Sequence, residues 1–122
     1  MTNDVEYNIR RLAVVIMDSI DAITVQGLDG DILSWNRGAE KMYGYTEAEA
    51  LTMNITDIVP QDKIQEAQRY FKNIASGQIV ESFETQRISK GGEVLDVWLV
   101  VTCLKDDSGS ITSIATTERD IT

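Results

Sequence analysis

The chain has 122 residues, 43% hydrophobic and 25% charged, which suits one globular domain with a single core and excludes a disordered or fibrous class. Eleven Lys and Arg face twenty Asp and Glu, a formal net charge of −9, so no basic surface is on offer to nucleic acid or an anionic membrane. With no histidine and a single cysteine, Cys103, the chain lacks Ser-His and Cys-His nucleophile pairs, imidazole metal ligands and a disulfide framework.

The acidity either solubilises the surface or faces a basic partner. The apolar run over residues 12–17 is too short to cross a bilayer, and there is no secretory hydrophobic segment. The chain by itself therefore reads as cytoplasmic, with no membrane contact of its own.

Within residues 1–20, Val5, Ile9, Leu12, Ile16 and Ile20 recur at steps of three and four, the stripe of an amphipathic helix. Such a helix either pairs with a second copy of itself or closes the core of its own domain. From residue 22 the period becomes two: Ile23 and Val25 alternate with Thr24 and Gln26. Asp29 and Gly30 supply a hairpin turn, and residues 32–35 return as a second strand.

Asn36 suits a helix N-cap and Gly44 a helix stop, so a short helix lies between them. Residues 46–51 and 55–58 read as two further single-turn helices, ended by Pro60. Residues 62–76 form a longer helix with Ile64, Ala67, Phe71, Ile74 and Ala75 on one face and Gly77 at its end. Three strands follow, over residues 81–89, 94–104 and 111–119, separated by Gly91-Gly92 and by Asp107-Ser108-Gly109. The expected fold class is α+β: a five-stranded antiparallel sheet flanked by short helices, as one domain over residues 21–122 behind the N-terminal helix.

In this order and spacing, four segments resemble a PAS domain. They are Ile20 to Ile23 leading to Leu28-Asp29-Gly30; Trp35 and Asn36 through Gly44, Tyr45, Thr46 and Glu49; Lys90-Gly91-Gly92; and Arg119-Asp120-Ile121-Thr122, similar to the family's closing Asp-Ile-Thr. Asp21 stands where the family commonly has Pro, and Thr52 where it often has Gly. The resemblance implies a sheet whose concave face and surrounding helices enclose a pocket. It implies a sensory or dimerising input to a histidine kinase, a cyclic-dinucleotide enzyme, a chemoreceptor or a transcription regulator, with any catalysis beyond Thr122. Glu49 and Lys90 match family positions that often pair.

Strand alternation puts Phe83, Thr85, Arg87, Val97, Leu99, Val101, Ile114 and Thr116 on the pocket side, opposite Glu84, Gln86, Asp96 and Thr102. Met42, Ile58, Ile64, Gln68 and Phe71 from the helices complete the expected wall. Two readings stand at this point: a filled core without ligand, or a small-molecule site whose polar groups are Gln68, Thr85, Arg87 and Thr116. The candidate ligand is a small organic acid or an aromatic metabolite, with Arg87 the candidate partner for a carboxylate.

The cofactor is unknown, with none the leading expectation. Cysteinyl-flavin photochemistry is excluded because residues 53–58 carry no Cys, and His-ligated haem because there is no His. Non-covalent flavin stays open, with Trp35 and Trp98 as stacking partners.

Trp98 and Val100 fall on the outward face, where Leu12, Val15 and Ile16 of the N-terminal helix would cover them, within one chain or across a homodimer. Asp120 and Thr122 stand where the resemblance implies coupling to an output helix and output domain. The competing class is a small α+β enzyme acting through a buried carboxylate, for which Asp57 and Asp96 are the least exposed by pattern.

Overall fold

The structure, a computed structural model, describes residues 20–76 and 82–122. Strands β1 (Ala22–Gly27) and β2 (Ile32–Trp35) are followed by helices α1 (Arg37–Tyr43) and α2 (Glu47–Ala50). Two 3-10 turns, Ile55–Ile58 and Gln61–Lys63, lead into α3 (Ile64–Ala75), and β3 (Phe83–Ile88), β4 (Val94–Lys105) and β5 (Ile111–Asp120) complete the chain. The five strands form one sheet in the order β2-β1-β5-β4-β3, antiparallel at every pairing. The expected fold class is the observed one. The helix expected over residues 1–20, with Leu12, Val15 and Ile16, lies outside the described residues but for Ile20, as does Gly77.

Local chemistry explains each junction. The β1–β2 turn closes through Gly30 N–H to the Gly27 carbonyl (2.9 Å), with Gly30 at φ 91°, a backbone that only glycine adopts without strain. Asn54 grips that turn, donating from Nδ2 to Asp29 O and Asp31 Oδ1, both at 3.0 Å.

Asn36 Oδ1 caps α1 by accepting from Ala39 N–H (2.9 Å), and it also accepts from Ile23 N–H (2.8 Å). Its Nδ2 donates to Asp21 O (3.0 Å), so one buried amide fastens helix, strand and incoming chain. Gly44, at φ 82°, ends α1 by donating to Glu40 O. Thr46 and Glu49 form a capping box on α2, and Asn54 and Asp57 another on the first 3-10 turn.

Ala22, Ile32, Trp35, Ala39, Tyr43, Ala50, Ile55 and Ile58 pack into one buried cluster beneath α1 and α2. It fills one end of the concave face. The other end lies under α3, and there the packing is incomplete.

Candidate functional site

Side chains on the inner face line up in rows across the sheet. Thr24 of β1 faces Thr116 of β5, which faces Val101 of β4. The next row runs Ala22, Glu118, Leu99 and Phe83. Between these rows and α3 is a cavity of about 30 Å³. On the scale of about 10–15 Å³ per buried water, it holds roughly two to three waters.

Its apolar walls are Ile55, Ala67, Tyr70, Phe71, Ile74, Phe83, Leu99, Val101 and Ile114, and its polar lining is Gln26, Glu66, Thr85, Arg87 and Thr116. Tyr70 of α3 stacks on Phe83 of β3, with ring centroids 4.3 Å apart and planes at 16°, closing helix onto sheet.

Eight of the thirteen side chains expected in the wall line this cavity: Phe71, Phe83, Thr85, Arg87, Leu99, Val101, Ile114 and Thr116. Val97 and Ile58 are buried in core packing beside it, Met42 packs against the core from α1, and Ile64 is half-buried.

Gln68 is exposed instead, on an outer groove with Asn54 and Lys72. At 100° per residue the inward stripe of α3 is centred on Ala67 and Ile74, which turns Gln68 roughly 120° away and brings Tyr70 inside. Arg87 does not reach solvent. It is buried, with its Nε 3.4 Å from Glu118 Oε1 and an Nη donating to Gln86 O (3.0 Å).

Glu118 is the centre of a buried polar chain that sequence reasoning missed. Its Oε1 accepts from Tyr43 Oη (2.8 Å) and its Oε2 from Thr116 Oγ1 (3.3 Å). Thr116 and Thr24 hydroxyls meet at 2.7 Å, and Gln26 Nε2 donates to Thr24 Oγ1 and to Thr116 Oγ1, the latter at 3.2 Å. Burial raises the Glu118 carboxyl above the ordinary carboxylate value while Arg87 opposes that rise. Burial, and then the Glu118 charge, push the Tyr43 hydroxyl well above its ordinary value.

Two buried polar atoms of the cavity lining have no hydrogen-bond partner: Gln26 Oε1 and Arg87 Nε. The period of two that marked Ile114 and Thr116 as inward extends to Glu118, and that was the available signal.

Asp57 and Asp96, expected to be the least exposed carboxylates, are both exposed. Asp57 caps the Asn54 N–H (3.0 Å) and Asp96 accepts from Gln86 Nε2 (3.1 Å). Among the described residues the buried carboxylate is Glu118, and it is paired with Arg87. Neither tryptophan reaches the cavity. Trp35 packs on Tyr43 at 5.6 Å and donates to Tyr45 O (3.0 Å), while Trp98 lies on the outer face. At about 30 Å³ the space is small beside the roughly 300–1,000 Å³ of sites for drug-sized molecules, and a flavin would need α3 to move outward. Among the described residues no His, Cys, Asp or Glu cluster could hold a metal, and no helix is long and apolar enough to cross a membrane.

On the outer face Trp98 and Val100 are 38% and 41% exposed, beside Ile23 and Thr117. At the sheet's end Asp120 Oδ1 accepts from Thr122 N–H (2.9 Å) and from its hydroxyl. Arg119 clasps Asp21 through Nε (3.3 Å) and an Nη (3.2 Å), tying the last strand to the start of the first. Lys90 Nζ meets Glu49 Oε2 at 2.6 Å.

A family model described as PAS domain matches residues 20–122. No curated protein matches the chain. Among solved structures, a PAS domain from Colwellia psychrerythraea superposes with a TM-score of 0.86 at 21% identity, over 93% of this chain and 97% of that one. A domain of a sensory box sensor histidine kinase/response regulator from Geobacter sulfurreducens gives 0.79 at 20% identity, over 98% and 100%. An RNA-binding light-oxygen-voltage receptor gives 0.81 at 22%, over 91% of this chain and 32% of that one. At these identities the structural likenesses speak for the fold.

Proposed function

The chain belongs to the PAS domain family, and on that premise we propose that it is the sensory input module of a larger signalling protein. The observation that carries the reading is the cavity under α3, with two buried polar atoms of its lining lacking partners. A buried polar atom left unmet costs about 1–3 kcal/mol, so a small molecule that meets one is held there with a gain. Its arrival would act on α3 and on β5, and through β5 on Asp120 and Thr122, beyond which an output domain would lie. Such an output would be a histidine kinase, a cyclic-dinucleotide enzyme or a transcription regulator.

The test is a native mass spectrum and absorbance spectrum of the purified chain, followed by a screen of metabolites by thermal shift. A bound mass or a stabilising metabolite that is lost in Thr116→Val supports the reading. A chain that stays free of any ligand across the screen counts against it.

The second reading, a dimerisation module without ligand, is favoured by the small size of the cavity and by Trp98 and Val100 on the outer face. Under either reading we propose that a second copy of the chain covers that face. Sedimentation at high micromolar concentration should then give a dimer that Trp98→Ser with Val100→Ser dissociates. A wild-type monomer there would sink the dimer.

A further inference from the structure

With Glu118 ionised against Arg87, the buried chain has an acceptor-only end, and that end sets the proton positions along it. Two hydroxyls donate to Glu118, those of Tyr43 and Thr116, and the Arg87 guanidinium pairs with it by charge at 3.4 Å, without a hydrogen bond from Nε. With its one hydrogen given to Glu118, the Thr116 hydroxyl can only accept from Thr24. Thr24 in turn, its hydrogen spent on Thr116, can only accept from Gln26.

The amide of Gln26 is thereby oriented with its NH2 toward both threonines and its Oε1 away from them. Turning the amide over would set Oε1 against two hydroxyls with no hydrogen to give. The fully buried Gln26 thus offers an acceptor without a donor, on the lining of the cavity.

The charges around the cavity are matched. Arg87 is neutralised by Glu118, so a ligand carboxylate would bring a second negative charge to one guanidinium. The other carboxylate of the lining, Glu66, is half-exposed and lies 3.8 Å from Lys63. An ammonium group would find no unpaired buried carboxylate to receive it. The organic acid expected from Arg87 alone is therefore disfavoured.

We infer that the ligand of this cavity is a neutral, chiefly apolar molecule carrying one hydroxyl or N–H, which donates to Gln26 Oε1 while its body lies between Phe71, Ile74, Leu99 and Val101. This assignment rests on the ligand-binding reading above and narrows it to a chemical class. A ligand with an aromatic ring needs roughly 150 Å³, so α3 must move outward, and the Tyr70–Phe83 stack is the contact that yields.

The experiment uses four probes of one shape on the 122-residue chain: benzyl alcohol, toluene, benzoate and benzylammonium, titrated while amide resonances are followed by NMR. Benzyl alcohol should bind about tenfold more tightly than toluene and at least about tenfold more tightly than either ion. Gln26→Leu should remove the preference over toluene, and Tyr70→Ala, which enlarges the site, should tighten both neutral probes. Benzoate or benzylammonium binding as tightly as the alcohol overturns the assignment while leaving ligand binding standing, as does a preference for the alcohol that survives Gln26→Leu. If no probe binds the wild type or Tyr70→Ala, the ligand-binding reading fails and the assignment falls with it.

Discussion

Glu118 on β5 and Arg87 on β3 reach across β4 to meet, Oε1 to Nε at 3.4 Å, with both side chains almost wholly withdrawn from water. A pair this deep contributes little by existing, because desolvation offsets its attraction, but removing one member leaves the other stranded. Glu118→Gln should cost about 3–5 kcal/mol in urea denaturation, since Arg87 keeps its charge without a counterion. The double variant Glu118→Gln with Arg87→Met should cost well under the sum of the singles, with a coupling of about 2 kcal/mol. Strict additivity would show that the two groups do not depend on each other.

Glu49 and Lys90 form the opposite kind of pair, exposed and at 2.6 Å. The Lys90 hydrogen bond, and then the Thr46 N–H, hold the Glu49 carboxyl at about 2 instead of 4.5. A depressed carboxylate adds stability that is present above its unfolded pKa and is lost as pH falls through its folded pKa. Stability from Glu49 should therefore fade between pH 4.5 and about 2, and Glu49→Gln should flatten the unfolding midpoint over that window. The raised carboxyl of Glu118 has the reverse sign, costing stability as pH climbs through the carboxylate range. A Glu49→Gln profile parallel to wild type would refute the assignment.

Two positions at the start of α1 should be intolerant of changes that are mild elsewhere. Ala for Gly in a helix ordinarily stabilises by up to about 1 kcal/mol. At Gly38, however, a Cβ would lie 2.2 Å from Asp21 O, a backbone atom. Gly38→Ala should therefore destabilise, by about 1–3 kcal/mol. Asn36→Ala removes the cap and leaves Ile23 N–H and Asp21 O unmet, for a loss of about 2–4 kcal/mol. Thermal unfolding of both variants checks this, and a Gly38→Ala chain as stable as wild type would contradict the close approach.

Those positions show how legible the fold was. Asn36, Gly44, Asp29-Gly30 and the period-two strands announce their roles because capping, positive φ and alternation are local rules. The site was harder to read, because burial on a central strand is set by neighbours in space. On β1 the polar residues Thr24 and Gln26 are fully buried together with Ala22, while Ile23 and Val25 are half-buried on the outer face. Polarity alone points the other way. Only the register of β1 against Thr116 and Glu118 on β5 shows that the polar side faces in, where the residues satisfy one another.

At the chain's end the clasp between Arg119 and Asp21 and the turn that Asp120 makes with Thr122 do different work. Arg119 and Asp21 join the two places where the chain enters and leaves the sheet, so they bear on how the termini are held relative to each other. Asp120 accepts from the Thr122 N–H and hydroxyl, and that hydrogen bonding depresses its own carboxyl. An oxygen so placed also suits the N-cap of a helix beginning after Thr122. Asp120 is exposed, so Asp120→Ala should change domain stability by no more than about 1 kcal/mol. On the proposed reading, the same change in the larger protein should uncouple output from input. Asp120→Asn, which keeps an acceptor oxygen, should retain most of the response. Signalling unaltered by Asp120→Ala in a folded protein would remove this residue from the relay.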